Sequence, residues 1–162
     1  MNRVDVGAEG LEPPLWSGAL AAFALKVLDF IGRDNWDLSV LLCGDETIKA
    51  LNGRYRGRNE ATDVLSFELG AETAAGDGDL RYLPGDIVIS LETLRENARC
   101  FETSEDEELR RLLINGINHL DGMDHNSNDK DEPMLKLQEN LLEQFKGERV
   151  LPFEETRGGG ER

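Results

Sequence analysis

Ser104-Glu-Asp-Glu-Glu-Leu-Arg-Arg-Leu-Leu-Ile-Asn115-Gly-Ile-Asn-His119-Leu-Asp-Gly122-Met-Asp-His125 is the stretch that decides how this chain folds. Ser104 followed by Glu107 is a capping box, the signature of a helix start. Leu109, Leu112, Leu113, Ile117 and Leu120 recur at helical spacing and form one apolar face. Asn115 and His119 are four residues apart, so they stack on one side of that helix, beside the apolar stripe. Gly122 then ends the helix and allows the chain to swing His125 back toward His119. These are the only two histidines in the protein. Three polar side chains so placed can hold a metal and leave a coordination position open, as a catalytic site requires.

Outward from this helix, the pattern predicts an α+β fold, a small mixed β-sheet covered by helices. The metal site is expected on a helix and the turn after it. Residues 4–6 read as a short edge strand. Pro13 and Pro14 suit a first helical turn, and residues 15–31 have the apolar spacing of a core helix. Residues 36–43 alternate apolar with polar and read as a strand. Asp45 is placed to cap a helix over residues 46–52. Residues 63–69 and 86–91 are two further strands, joined through a Gly-, Ala- and Asp-rich hairpin connection over 70–85. A helix is expected over 92–101. A last one begins near Pro133 and turns Met134, Leu137, Leu141 and Phe145 inward. One domain over residues 1–155 and a disordered tail over 156–162 complete the organisation.

Composition bounds the function. Apolar residues make up 39% of the 162, and no apolar run approaches a membrane span, which predicts a soluble protein with no membrane partner. The first residues lack a basic segment followed by an apolar one, so a cytoplasmic location is expected. Cys43 and Cys100 match no zinc or redox spacing and read as buried free thiols. The net charge of −15 disfavours general nucleic-acid binding, because phosphates are repelled at long range. A local basic groove stays compatible with that charge. Arg54-Tyr-Arg56-Gly-Arg58 concentrates three arginines, which either solvate a loop or supply a guanidinium to a phosphate.

The spacing of Asn115, His119, Gly122 and His125 coincides with that of the long zincin pattern, in which a Glu after the first His activates water for peptide hydrolysis. Gly116 stands at that position, so a peptidase lacks its general base. Asp121 is expected to be a solvated turn residue. Asp124 is expected to support a histidine from behind.

Taken together, these segments resemble the YbeY family of metal-dependent endoribonucleases, the rRNA maturation factors. The family signature is His-Gly-x-Leu-His-Leu-x-Gly-Tyr-Asp-His. Gly116, His119, Leu120, Gly122, Asp124 and His125 match it, whereas Asn115, Asn118 and Met123 differ. Upstream, Leu51-Asn52, Tyr55-Arg56-Gly57 and Thr62-Asp-Val-Leu-Ser-Phe67 resemble a second block, and Gly85-Asp-Ile-Val-Ile-Ser90 a third.

The resemblance implies one bound Zn2+ and cleavage of single-stranded RNA, chiefly in 16S rRNA processing and ribosome quality control on the small ribosomal subunit. It places the zinc ligands at Asn115, His119 and His125, with Asn115 a degenerate ligand position, and the functional arginine at Arg56. Asn offers a neutral amide oxygen, a poorer zinc donor than imidazole. The expected chemistry is metal-assisted phosphodiester hydrolysis in which Arg56 stabilises charge on the phosphate. The rival reading is a ribosome-associated factor that has lost its metal and its catalysis.

Overall fold

The computed structural model describes residues 1–74, 76 and 78–152. The predicted tail over 156–162 lies outside them. Four strands form one mixed sheet: β1 (Arg3–Ala8), β2 (Asp37–Cys43), β3 (Val64–Ala74) and β4 (Leu80–Ser90). Their spatial order is β1-β2-β4-β3. β1 and β4 run parallel to β2, while β3 pairs antiparallel with β4 and forms the edge. The helices are α1 (Ser17–Phe30), α2 (Asp45–Arg56), α3 (Leu91–Cys100), α4 (Glu105–Leu120) and α5 (Pro133–Gln144). This is the predicted α+β architecture.

Period-two patterning sets the sheet. In β2, Leu38, Val40 and Leu42 point to one face and are buried with Ile87 and Ile89 of β4. That face packs against α1 and α4, whose Leu20, Val27, Leu28, Leu109, Leu113 and Ile117 complete the main core. Each such side chain contributes about 1.5–3 kcal/mol through removal from water. A smaller cluster of Cys43, Ile48, Leu65 and Val88 forms around α2. Helix α4 is central, touching α1, α3, α5, β3 and β4.

Several sequence expectations are corrected. Helix α1 starts at Ser17, after the two prolines, because the Pro14 carbonyl accepts hydrogen bonds from both Ser17 N–H and Oγ. Asp45 does not cap α2. Gly44 holds the cap position, and the Asp45 carboxylate instead accepts from Ser90 Oγ and Thr93 Oγ1 at 2.7 and 2.6 Å, tying α2 to the start of α3. Those two hydroxyls hold the Asp45 carboxyl below its usual value. Helix α2 runs past Asn52 to Arg56, which puts Arg54 and Arg56 in a helical turn while Arg58 lies in the loop beyond. The connection over 70–85 is a hairpin, but most of it is ladder, since β3 continues to Ala74 and β4 begins at Leu80.

Only half of the capping box forms. Ser104 Oγ accepts from Glu107 N–H at 3.0 Å, whereas the Glu107 carboxylate turns to Thr103 and Arg111. Cys43 is buried, and burial pushes its thiol up to about 11; Cys100 is exposed, contrary to expectation. In α5, Met134 and Leu141 are buried and Leu137 is half-buried as predicted. Phe145, at the end of α5, packs edge-on against Phe23 and Phe30.

Candidate functional site

The C-terminus of α4 shows how the local sequence builds the first half of the site. Gly122 has φ +93°, a conformation that a side chain rarely adopts. Its N–H bonds the His119 carbonyl and the Met123 N–H bonds the Asn118 carbonyl, both at 3.0 Å. That pair of bonds is a Schellman closure, which stops the helix and reverses the chain. His125 is thereby carried back to His119, and the two ring centroids lie 5.6 Å apart. Two imidazoles sharing one tetrahedral ion, with metal–nitrogen distances near 2.0–2.1 Å, would hold their centroids about 5 Å apart. The observed pair is close to that spacing.

His125 Nδ1 lies 2.8 Å from the Ser127 carbonyl, which favours a proton on Nδ1 and leaves Nε2 as the free lone pair. Burial pushes the His119 ring below the ordinary imidazole value, and the nearby His125 and Arg56 side chains act in the same direction. Asp124 and a backbone hydrogen bond to Met123 oppose that shift. The Asp124 carboxylate accepts the His125 backbone N–H at 2.8 Å and stands 3.9 Å from His119 Nδ1, too far to be its hydrogen-bond partner. Asp121 is not a solvated turn residue: it pairs with Arg33 at 2.7 Å and fastens the turn to the end of α1.

Asn115 stands one turn before His119 on α4, half-buried. Its Nδ2 donates to Gln138 Oε1 of α5 at 2.8 Å, leaving the amide oxygen as its available acceptor. Gln138 is 7% exposed and donates in turn to Glu139, which Arg111 holds together with Glu107 and Glu108. A hydrogen-bonded chain between α4 and α5 therefore fixes the orientation of the amide. Nothing local in the sequence pointed to Gln138, because its partner is on another helix.

The candidate donors are two imidazoles and one amide oxygen. Among the described residues, no group of three His, Cys, Asp or Glu side chains is placed to hold a metal ion. The side chains fit an ion held mainly by two nitrogens, with a weak third donor.

Gly116, notable in sequence for lacking a carboxylate, has a packing role. A Cβ there would meet the Ile87 side chain at 2.8 Å, so its absence lets α4 lie close on β4. The buried amide of Asn118 has no hydrogen-bond partner for its Nδ2 among the described residues.

The second half of the site comes from elsewhere in the chain. A cleft of about 1150 Å³ is lined by Tyr55 and Arg56 of α2, by residues 64–69 of β3, and by Asn115, His119, Gly122 and Asp124. Arg56 is thus brought to the wall opposite the α4 turn. Its Nη2 donates to the Ser66 carbonyl at 2.5 Å, and its guanidinium lies over the Phe67 ring at 5.6 Å. It is the only cation among the described lining residues, against Glu68, Asp86 and Asp124. Arg54, Arg58 and His125 do not line the cleft; His125 lies against His119, which does. Sequence reasoning missed the Tyr55–Phe67 ring pair, which depends on the end of α2 lying beside β3.

Residues 17–146 match the family described as endoribonuclease YbeY. A protein of that name from Treponema pallidum is 47% identical over 144 residues, covering 89% of this chain and 90% of its own length. One from Borrelia turicatae is 40% identical over 142 residues, covering 87% and 93%. A solution structure from Thermotoga maritima superposes with a TM-score of 0.62 at 29% identity, covering 90% of each chain. With the family match spanning most of the sequence and relatives this similar along nearly their whole length, the chain belongs to the endoribonuclease YbeY family.

Proposed function

We propose that this protein is a metal-dependent endoribonuclease. It hydrolyses phosphodiester bonds of single-stranded RNA as a single domain over residues 1–155. Its place is the cytoplasm, in 16S rRNA processing and ribosome quality control, with the small ribosomal subunit as partner. The observation that carries the reading is the shared cleft: Arg56 and His119, distant in sequence, wall one cavity, and the His125 ring lies 5.6 Å from that of His119. Family membership supports the reaction class. No helix among the described residues is long and apolar enough to cross a membrane.

His119 and His125 would hold one zinc ion, with Asn115 as a weak oxygen donor. When bound, such an ion supplies Lewis acidity at a phosphoryl oxygen and lowers the pKa of a bound water. The chain's own residues do the rest. Arg56, already oriented by Ser66 and Phe67, presents its guanidinium to the phosphate and stabilises the charge that develops there. His119 stays neutral near pH 7 because burial disfavours its cation. Asp124 holds the backbone of His125, keeping the second ring in place. The Gln138 bond keeps the Asn115 amide from rotating.

Elemental analysis of purified protein, paired with cleavage of single-stranded RNA with added zinc and with chelator, tests the proposal. Cleavage that needs metal and disappears with chelator is expected. A metal-free protein that cuts no RNA at any metal concentration would leave the rival reading, a ribosome-associated factor without catalysis. The amide at position 115 is the observation favouring that rival. A peptidase remains disfavoured, since Gly116 offers no carboxylate.

A further inference from the structure

Tyr55 sits in the last turn of α2 and is 62% exposed, although it lines the cleft. The ring is nevertheless held. Phe67 of β3 meets it at a centroid separation of 5.4 Å and an angle of 64°. The Arg54 guanidinium lies over it at 5.9 Å. Arg56 in turn lies over the Phe67 ring at 5.6 Å. Leu69, also largely exposed, extends the apolar surface along β3. An open aromatic ring, braced from two sides, therefore adjoins the arginine assigned to the phosphate.

The charge balance indicates what such a surface can bind. The protein carries −15, and Glu68, Asp86 and Asp124 share the cleft with Arg56. A polyanion is repelled at long range and gains little from counterion release at a single arginine. Its binding must draw on contacts that do not depend on net charge. Nucleobase stacking on an aromatic ring is such a contact, and it tolerates any base because each has a π-face. It also requires an unpaired base free to leave its own stack.

We propose that Tyr55, braced by Arg54 and Phe67, is a stacking subsite for one unpaired nucleobase next to the phosphate held by Arg56. The inference rests on the RNA-cleaving reading and adds a residue that selects single strands. It makes Tyr55 a specificity determinant that acts in binding, with no part in the bond-breaking step.

The test uses the full chain in chelator, to keep RNA intact, with a fluorescein-labelled oligoadenylate read by anisotropy over a salt series. Tyr55→Ala should weaken binding about tenfold without changing the salt slope, the size typical of one lost base–aromatic stack. Tyr55→Phe should bind like the parent. Tyr55→Leu, which keeps apolar area but no π-system, should bind like the alanine variant. Arg56→Ala should instead reduce the salt slope by about one, as expected for a lost phosphate contact. Circular dichroism of each variant controls for folding, and an exposed ring makes loss of fold unexpected. The subsite is overturned if Arg56→Ala weakens binding while Tyr55→Ala does not, or if leucine serves as well as phenylalanine. Should the parent chain bind no single-stranded RNA at all, the endoribonuclease reading falls, and the subsite with it.

Discussion

One wall of the cleft, the end of α4 with its turn, comes from an unbroken run of sequence over residues 115–125; the opposite wall joins the end of α2 to β3. The first wall is shaped by its own backbone, with Asn115 and Asp121 additionally anchored to Gln138 and Arg33. The Schellman bonds at Gly122 and Met123 and the Ser127 carbonyl at His125 are all short-range. The second is held across the fold, by the Arg56 bond to Ser66 and the ring contact of Tyr55 with Phe67. An imidazole whose burial disfavours its cation, His119, stands on one side and a fixed cation, Arg56, on the other. The difference suggests a division of labour: metal affinity from the local wall, phosphate and base recognition from the assembled one.

The sharpest way to break that division is Arg56→Ala. It should reduce RNA cleavage by about a hundredfold or more, the cost of losing a group that stabilises transition-state charge. Zinc affinity should be unchanged, and stability should shift by about 0.5 kcal/mol or less, since the side chain is exposed. Unaltered cleavage would remove Arg56 from the mechanism.

Next in size is Asn115→His on the other wall. Imidazole replaces an amide oxygen on the α4 face that already carries His119, and Gln138 Oε1 can accept the ring N–H as it now accepts the amide. Even changes one shell further out alter metal affinity about 10–100-fold, so competition with a chelator should show zinc held at least about tenfold tighter. Equal zinc binding by the two chains would mean that position 115 is not a ligand.

Gly116→Ala probes the packing beneath both walls. The added methyl would press on Ile87, and unfolding in denaturant should show a loss of about 1–3 kcal/mol, as for an overpacked core. A neutral result would show that α4 is not seated tightly on β4.

The smallest effect is expected at Asn118→Leu, which removes a buried amide lacking a partner for its Nδ2 among the described residues. Stability should rise by about 1 kcal/mol, the penalty of an unsatisfied buried donor being about 1–3. A loss of stability would reveal a hydrogen bond donated by Asn118 Nδ2 to a group outside the described residues or to water.

How much of this was legible beforehand follows from the range of each interaction. The α4 helix, its Ser104 start and the turn at Gly122 could be read because capping, periodicity and chain reversal act over a few residues. The fold class could be read because strands and helices alternate their apolar positions with different periods. The resemblance to the family supplied Arg56 as a functional residue. Its position across from His119 could not be read from spacing, since α2 outran its predicted end by a full turn.

Charge was the least legible property. Asp121 read as a solvated turn but pairs with Arg33, and Asp45 read as a cap but bridges two helices. In both cases a partner distant in sequence satisfied a carboxylate that local rules would leave to water or its own backbone.

By itself the sequence determined the local half of the candidate site: two histidines, an asparagine in the third place, and the glycine that folds them together. Those features depend on backbone rules that act within a helical turn. Only the tertiary structure decided that Arg56 and Tyr55 face them, that Gln138 orients Asn115, and that Gly116 serves close packing. Such contacts arise when the burial of apolar faces brings separate elements together, and the local pattern of either element carries no record of its partner.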